Sequence, residues 1–150
     1  MQSDCVLELP SDLRMIEGAV QYLMDRSCEA GFDEERLRLN FRVGLSEALA
    51  NAMLYGNGRD PKKRVRVEAR FSDCSVVVRV TDEGCGFDPR SIPDPTLPGN
   101  RRRTRGRGIY LIKKLMDHVE FNEQGNSITM VLLRGPGNGG RVAEERETAP

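Results

Sequence analysis

The chain has 150 residues, a length that suits one domain with a usable hydrophobic core. Its 23 basic and 23 acidic side chains cancel to zero net charge, so no global field points to nucleic acid or to a membrane surface. No apolar run approaches the ~18 residues of a membrane span, and MQSDCVLELP has no basic segment leading into an apolar one, so neither a membrane anchor nor a signal peptide is expected and the cytoplasm is the default location.

CVLELP alternates briefly and stops at Pro10, which reads as a strand. Ser11 and Asp12 then offer helix-start chemistry, and Leu13, Ile16, Val20, Leu23 and Met24 follow at helical spacing until Gly31. Asp33 is the expected cap of a second helix, with Glu34 and Glu35 in its first turn, where negative charge suits the helix dipole. Leu37, Phe41, Leu45 and Ala48 give that helix its apolar face to about Leu54, and Gly56-Asn57-Gly58 stops it. RVRVEARF and CSVVVRVTD alternate on either side of Ser72-Asp73 and predict an antiparallel hairpin.

From Glu83 to Arg107 the chain is rich in Gly, Pro and Arg without an apolar period, which predicts a long loop of functional or disordered type. GIYLIKKLMDHV reads as a third helix, followed by two strands, HVEFN and SITMVLLR, joined through Glu123-Gln124-Gly125-Asn126. Residues 135–150 have the composition of a disordered tail. Hairpin connections imply antiparallel pairing, and three amphipathic helices must bury their faces on the sheet. The expected fold is therefore α/β (α+β): a two-layer sandwich whose mixed, mostly antiparallel sheet is covered by three helices.

Cys5, Cys28, Cys74 and Cys85 show no CxxC spacing and the single histidine is His118, so free thiols are expected and a zinc site is not. His118 and the methionines at 15, 24, 53, 116 and 130 read as structural residues. Cys85 reads as a tolerated thiol.

Three segments carry possible chemistry. In SEALANAMLYGN, Glu47 and Asn51 stand at i and i+4 and share one helix face, as a solvated stripe or as the lining of one site. In VTDEGCGFD, Asp82 ends a strand and Gly84 and Gly86 follow. This is either an ordinary turn or a carboxylate able to accept a hydrogen bond from an exocyclic amine, with glycines that let backbone approach a ligand. In RTRGRGIYLI, Gly106 and Gly108 directly precede a helix amid arginines at 101, 102, 103, 105 and 107. That pattern suits phosphate at a helix start, a solvated basic loop, or a nucleic-acid backbone, the last weakened by the lack of aromatics for stacking.

The order of these segments resembles the ATP-binding (Bergerat-type) fold shared by gyrase, the Hsp90 chaperones, histidine kinases and MutL. EALANAMLYGN resembles its first motif, DEGCGFD its second and GRGIYLI its third, and the resemblance covers about residues 5 to 134. Within that superfamily the chain is most similar to the anti-sigma-factor serine/threonine kinases, whose first motif reads EAxxNA…HGN, with Tyr55 here in place of the histidine. The resemblance implies ATP and Mg²⁺ as cofactors. It implies that Asn51 holds the metal, Glu47 is the general base, Asp82 reads the adenine amine, and Gly84 and Gly86 shape the adenine pocket. It further implies that Gly106 and Gly108 begin the phosphate-binding helix, that residues 88–105 form a lid, and that Arg105 contacts phosphate. The family's last-hairpin threonine falls in GNSITM, where Asn126, Ser127 or Thr129 are the alternatives.

The implied function is a serine/threonine kinase that phosphorylates a small antagonist protein and silences a sigma factor, as a homodimer without direct nucleic-acid or membrane contact. The alternatives are a catalytically weak ATP-binding switch, a histidine-kinase-type catalytic module, and a nucleic-acid-binding module. The histidine-kinase alternative is disfavoured because the residues before Asp33 contain no histidine.

Overall fold

The computed structural model describes residues 2–86, 88 and 104–134, with side chains from 106 onward in the last segment. The expected tail at 135–150 and nearly all of the expected lid lie outside the described residues.

Strand β1 (Cys5–Pro10) leads through a 3₁₀ turn (Leu13–Met15) into α1 (Ile16–Glu29). A continuous helical run follows: α2 (Glu34–Arg36), a π turn (Leu37–Phe41), α3 (Arg42–Asn51) and a second π turn (Ala52–Gly56). The chain continues with β2 (Arg64–Phe71), β3 (Ser75–Thr81), α4 (Thr104–Leu115), β4 (His118–Phe121) and β5 (Ser127–Leu133). The sheet order is β1-β2-β3-β5-β4, and every pairing is antiparallel.

Strict alternation explains the layering. Leu7, Val67, Val80, Ile128 and Phe121 stand opposite one another across all five strands, as do Cys5, Ala69, Val78, Met130 and Val119. A period of two sends both rows to one face. The helices cover that face with Leu23, Leu37, Phe41, Leu45, Leu49 and Ile112, all buried, and α3 packs between α1 and α4. The predicted caps form: Asp12 accepts from the Arg14 N–H at 3.0 Å and Asp33 from the Arg36 N–H at 3.1 Å.

The second helix, expected as one regular run, widens twice into π turns; such insertions often accompany functional sites. The third helix begins at Thr104 rather than after Gly108, so Gly106 and Gly108 lie inside its first two turns. Glycine's poor helix propensity is overridden there by tertiary packing, because α4 lies close against α3. The helix ends at Leu115 because the Asp117 N–H is drawn to the Val131 carbonyl (2.9 Å), which starts β4 at His118.

The opposite face of the sheet is polar. Arg66 donates to Glu8 at 3.0 Å, and Arg79 donates through Nε to Glu68 at 2.9 Å. Glu68 is only 8% exposed, and its hydrogen bond from Arg79 holds its carboxyl below the ordinary glutamate value of 4.5. A depressed folded pKa contributes stability above the unfolded value and loses it as pH falls through the folded one. Glu68→Gln is therefore expected to lower stability by about 1 kcal/mol at neutral pH. The gap between parent and variant should close as urea melts are taken below pH 4.5.

Candidate functional site

A cleft opens between the α3 helical run, α4 and the ends of β3 and β5. Ala48, Ala52, Val80, Ile112 and Phe121 line it with apolar surface, and Asn51, Asp82, Asn126 and Ser127 supply its polar side chains.

Asp82 lies one residue beyond β3 and is buried, with 8% exposure. Its Oδ1 accepts from the Gly84 N–H at 2.8 Å, and its own N–H donates to the Asn126 carbonyl at 2.9 Å. The Asn126 side-chain amide donates to the Asp82 carbonyl at 3.3 Å. Asn122 organises the β4–β5 turn opposite: its Oδ1 accepts from the N–H groups of Gly125, Asn126 and Ser127 at 2.8, 3.0 and 3.2 Å.

Close approach explains the glycines. A Cβ on Gly56 would overlap the Asp82 carboxylate, and one on Gly84 would overlap the Gly56 carbonyl. Gly86 has φ +86° and sits against the Gln124 carbonyl, so a side chain there is excluded both by backbone conformation and by space. The Asp-Glu-Gly-Cys-Gly stretch is thus wedged between the end of the second π turn and the β4–β5 turn.

Asn57 secures the wedge. It is 2% exposed, donates to Ser11 Oγ (2.8 Å) and to the Arg64 carbonyl (3.1 Å), and accepts from the Glu83 N–H (2.7 Å). One side chain therefore ties together the β1–α1 connection, the start of β2 and the exit of β3.

Glu47 and Asn51 project from α3 toward Gly108 of α4. A Cβ on Gly108 would lie 2.8 Å from Glu47 Oε1 and 3.2 Å from Asn51 Nδ2. The Asn51 Nδ2 is buried without a hydrogen-bond partner. A buried unsatisfied amide costs about 1–3 kcal/mol, which is the expected mark of a group whose partner is a ligand. A half-turn of the amide exchanges nitrogen and oxygen, so the group can present a donor or an acceptor.

The structure thus gathers Glu47, Asn51 and Gly108 on one side of the cleft and Asp82, Gly84 and Gly86 on another. Gly106 is buried in the first turn of α4, while the Arg105 side chain lies outside the described residues. Of the last-hairpin alternatives, Thr129 pairs with Arg79 and Glu120 on the polar face of the sheet, and the Ser127 hydroxyl contacts Thr81 Oγ1 at 2.9 Å. Asn126 is the one that reaches Asp82. Sequence reasoning gave Gly56 and Asn57 a helix-stopping role within the first motif, foresaw none of their tertiary contacts, and assigned no role to Asn122. The available signals were the Tyr-Gly-Asn directly after Asn51 and the four-residue spacing from Asn122 to Asn126.

Residues 9–132 match the histidine kinase-like ATPase domain. The chain belongs to that family. This ATPase domain is similar to the serine-protein kinase RsbW of Listeria innocua, at 26% identity over 87% of each chain. It is also similar to the anti-sigma F factor of Heyndrickxia coagulans, at 32% identity over 60% of this chain and 63% of the relative. Among the described residues of the domain, no helix is long and apolar enough to cross a membrane.

Asn57→Ala would delete three hydrogen bonds from a buried side chain and strand their partners. It is expected to destabilise the domain by about 2–3 kcal/mol. The check is a lower urea midpoint at unchanged m-value.

Proposed function

We propose that this chain is an ATP-dependent serine/threonine protein kinase that acts as an anti-sigma factor or a similar partner-switching regulator and phosphorylates a small antagonist protein. The observation that carries the reading is the meeting of Glu47, the unpartnered Asn51 amide and Gly108 across a cleft from the buried Asp82. The similarity to proteins named serine-protein kinase and anti-sigma F factor supports it.

In this reading Asp82 accepts a hydrogen bond from the adenine amine. Gly84 and Gly86 shape the pocket by letting the exit of β3 pack on the Gly56 and Gln124 carbonyls, and Ala48, Ala52 and Val80 give it apolar surface. The early N–H groups of α4 around Gly106 and Gly108 are assigned to the phosphates, with Arg105 as the proposed further phosphate contact. The buried, unpartnered Asn51 amide can turn its oxygen outward, a donor that fits Mg²⁺, which keeps its waters and takes only one or two protein oxygens beside phosphate. The metal supplies neutralisation of phosphate charge when bound.

Glu47 has the remaining task. A serine or threonine hydroxyl of the antagonist forms a bond to the γ-phosphorus as the bond from that phosphorus to the β–γ bridging oxygen breaks. The bridging oxygen keeps the electron pair and leaves with ADP. The hydroxyl proton passes to the Glu47 carboxylate. The domain is assigned to residues 1–134, and the working assembly to a homodimer that holds a sigma factor and the antagonist in alternation.

Calorimetry and radiolabel transfer to an antagonist purified from the native host test the assignment. Asp82→Asn is expected to weaken ATP binding by ~1.5–3 kcal/mol, the value of a hydrogen bond to a charged group. Glu47→Ala should leave binding intact and slow transfer by ~10²–10⁴-fold. Asn51→Ala should impair both. An unmodified chain that binds no ATP overturns the reading, and Glu47→Ala transferring at the parental rate removes Glu47 as the base.

A further inference from the structure

The β4–β5 wall of the cleft carries two asparagine amides in series, and the backbone fixes the polarity of both. An amide can turn end for end, so its direction is settled only where a neighbour's polarity cannot change. Asn122 has such neighbours. The N–H groups of Gly125, Asn126 and Ser127 can only donate, so the Asn122 atom they meet at 2.8, 3.0 and 3.2 Å is the side-chain oxygen. The Asn122 Nδ2 therefore points the other way, and it donates to Asn126 Oδ1 at 2.6 Å.

That bond directs the second amide. With Oδ1 turned to Asn122, the Asn126 Nδ2 faces the exit of β3 and donates to the Asp82 carbonyl at 3.3 Å. A carbonyl can only accept, so the far end of the series demands the same polarity as the near end. The turn beneath is closed by backbone bonds as well. The Asn122 N–H donates to the Ser127 carbonyl (3.0 Å) and the Gly125 N–H to the Asn122 carbonyl (3.1 Å), with Gly125 at φ +77°.

The other polar side chains of this hairpin are committed elsewhere. The Ser127 hydroxyl is engaged with Thr81 Oγ1, and Thr129 stands on the polar face of the sheet. Asn126 lines the cleft together with Asp82. Its Nδ2 carries two hydrogens, of which the Asp82 carbonyl takes one. The cleft thus holds a carboxylate acceptor and, from the adjoining turn, an amide donor of fixed direction.

We propose that Asn122 is a positioning residue for base recognition: it holds the Asn126 amide as a donor, which meets a ring-nitrogen acceptor next to the amine read by Asp82. The proposal rests on the ATP-binding reading above. An amine beside an unprotonated ring nitrogen presents a donor and an acceptor side by side, the complement of a carboxylate beside an amide N–H. A base with a carbonyl in place of the amine presents an acceptor to the carboxylate and leaves both partners unpaired, which is how polar sites reject near analogues.

The test titrates the full chain with ADP and with its 1-deaza and 7-deaza analogues, in which a C–H replaces one or the other ring nitrogen flanking the amine. The parent is expected to bind one analogue about 5-fold or more weakly than ADP, the value of one lost hydrogen bond. Asn126→Ala should remove that difference. Asn122→Asp keeps an acceptor for the three N–H groups but sets an oxygen against Asn126 Oδ1, so the amide loses its fixed direction. It should reduce the difference to less than about 2-fold, with the urea midpoint unchanged. An Asn122 that only holds the turn would leave the difference at its parental size in Asn122→Asp.

Equal binding of ADP and both analogues by the parent, a difference that survives Asn126→Ala, or a parental difference in Asn122→Asp overturns the proposal, while normal ADP binding leaves the nucleotide reading standing. Failure of the unmodified chain to bind ADP instead removes the reading on which the proposal rests.

Discussion

The buried carboxylate of Asp82 is the constraint on which the rest of the cleft depends. A carboxylate out of bulk water must be met by hydrogen-bond donors, and it tolerates no crowding from atoms that cannot donate. The fold meets the first condition with the Gly84 N–H and the second with Gly56, whose missing Cβ leaves the space that the carboxylate occupies. Gly84 in turn rests on the Gly56 carbonyl. The exit of β3 and the end of the α3 helical run are thus interlocked at backbone distance, and neither can move without the other. The Asn57 side chain fixes the same junction from the protein interior, and Asn122 and Asn126 fix its other flank.

A second close approach positions the other half of the site. Gly108 brings α4 within van der Waals range of Glu47 and Asn51. Both side chains come from a helix that is itself clamped between α1 and α4, on a sheet face of uniform apolar rows. The result is a tightly packed acid and amide pair beside the cleft, in which the Asn51 Nδ2 is buried without a hydrogen-bond partner. Support of this kind is what phosphoryl transfer demands, since its chemistry is chiefly positioning and charge neutralisation.

Much of this was legible in the chain itself. The alternation of Val65, Val67 and Ala69 against Val76, Val78 and Val80 reports a sheet with one buried face, because a period of two cannot serve any other regular structure. Asp12 and Asp33 mark helix starts because their short carboxylates reach the N–H groups left open there. The four-residue spacing of Glu47 and Asn51 placed them on one face before any tertiary contact was known.

The sequence by itself determined the elements, the apolar side of each, and the set of polar residues available for chemistry, because these follow from periodicity and from side-chain type. It could not place the start of α4, since Gly106 and Gly108 read locally as helix breakers and become helical only through packing on α3. Nor could it place the π turn that ends at Gly56, show how closely Gly56 fits Asp82, or foresee the bond from the Asn126 amide to the Asp82 carbonyl. Those outcomes depend on which backbone segments meet at less than a methyl group's distance. Contacts between residues 26 to 61 positions apart leave no trace in any local pattern, so only the assembled tertiary structure decides them.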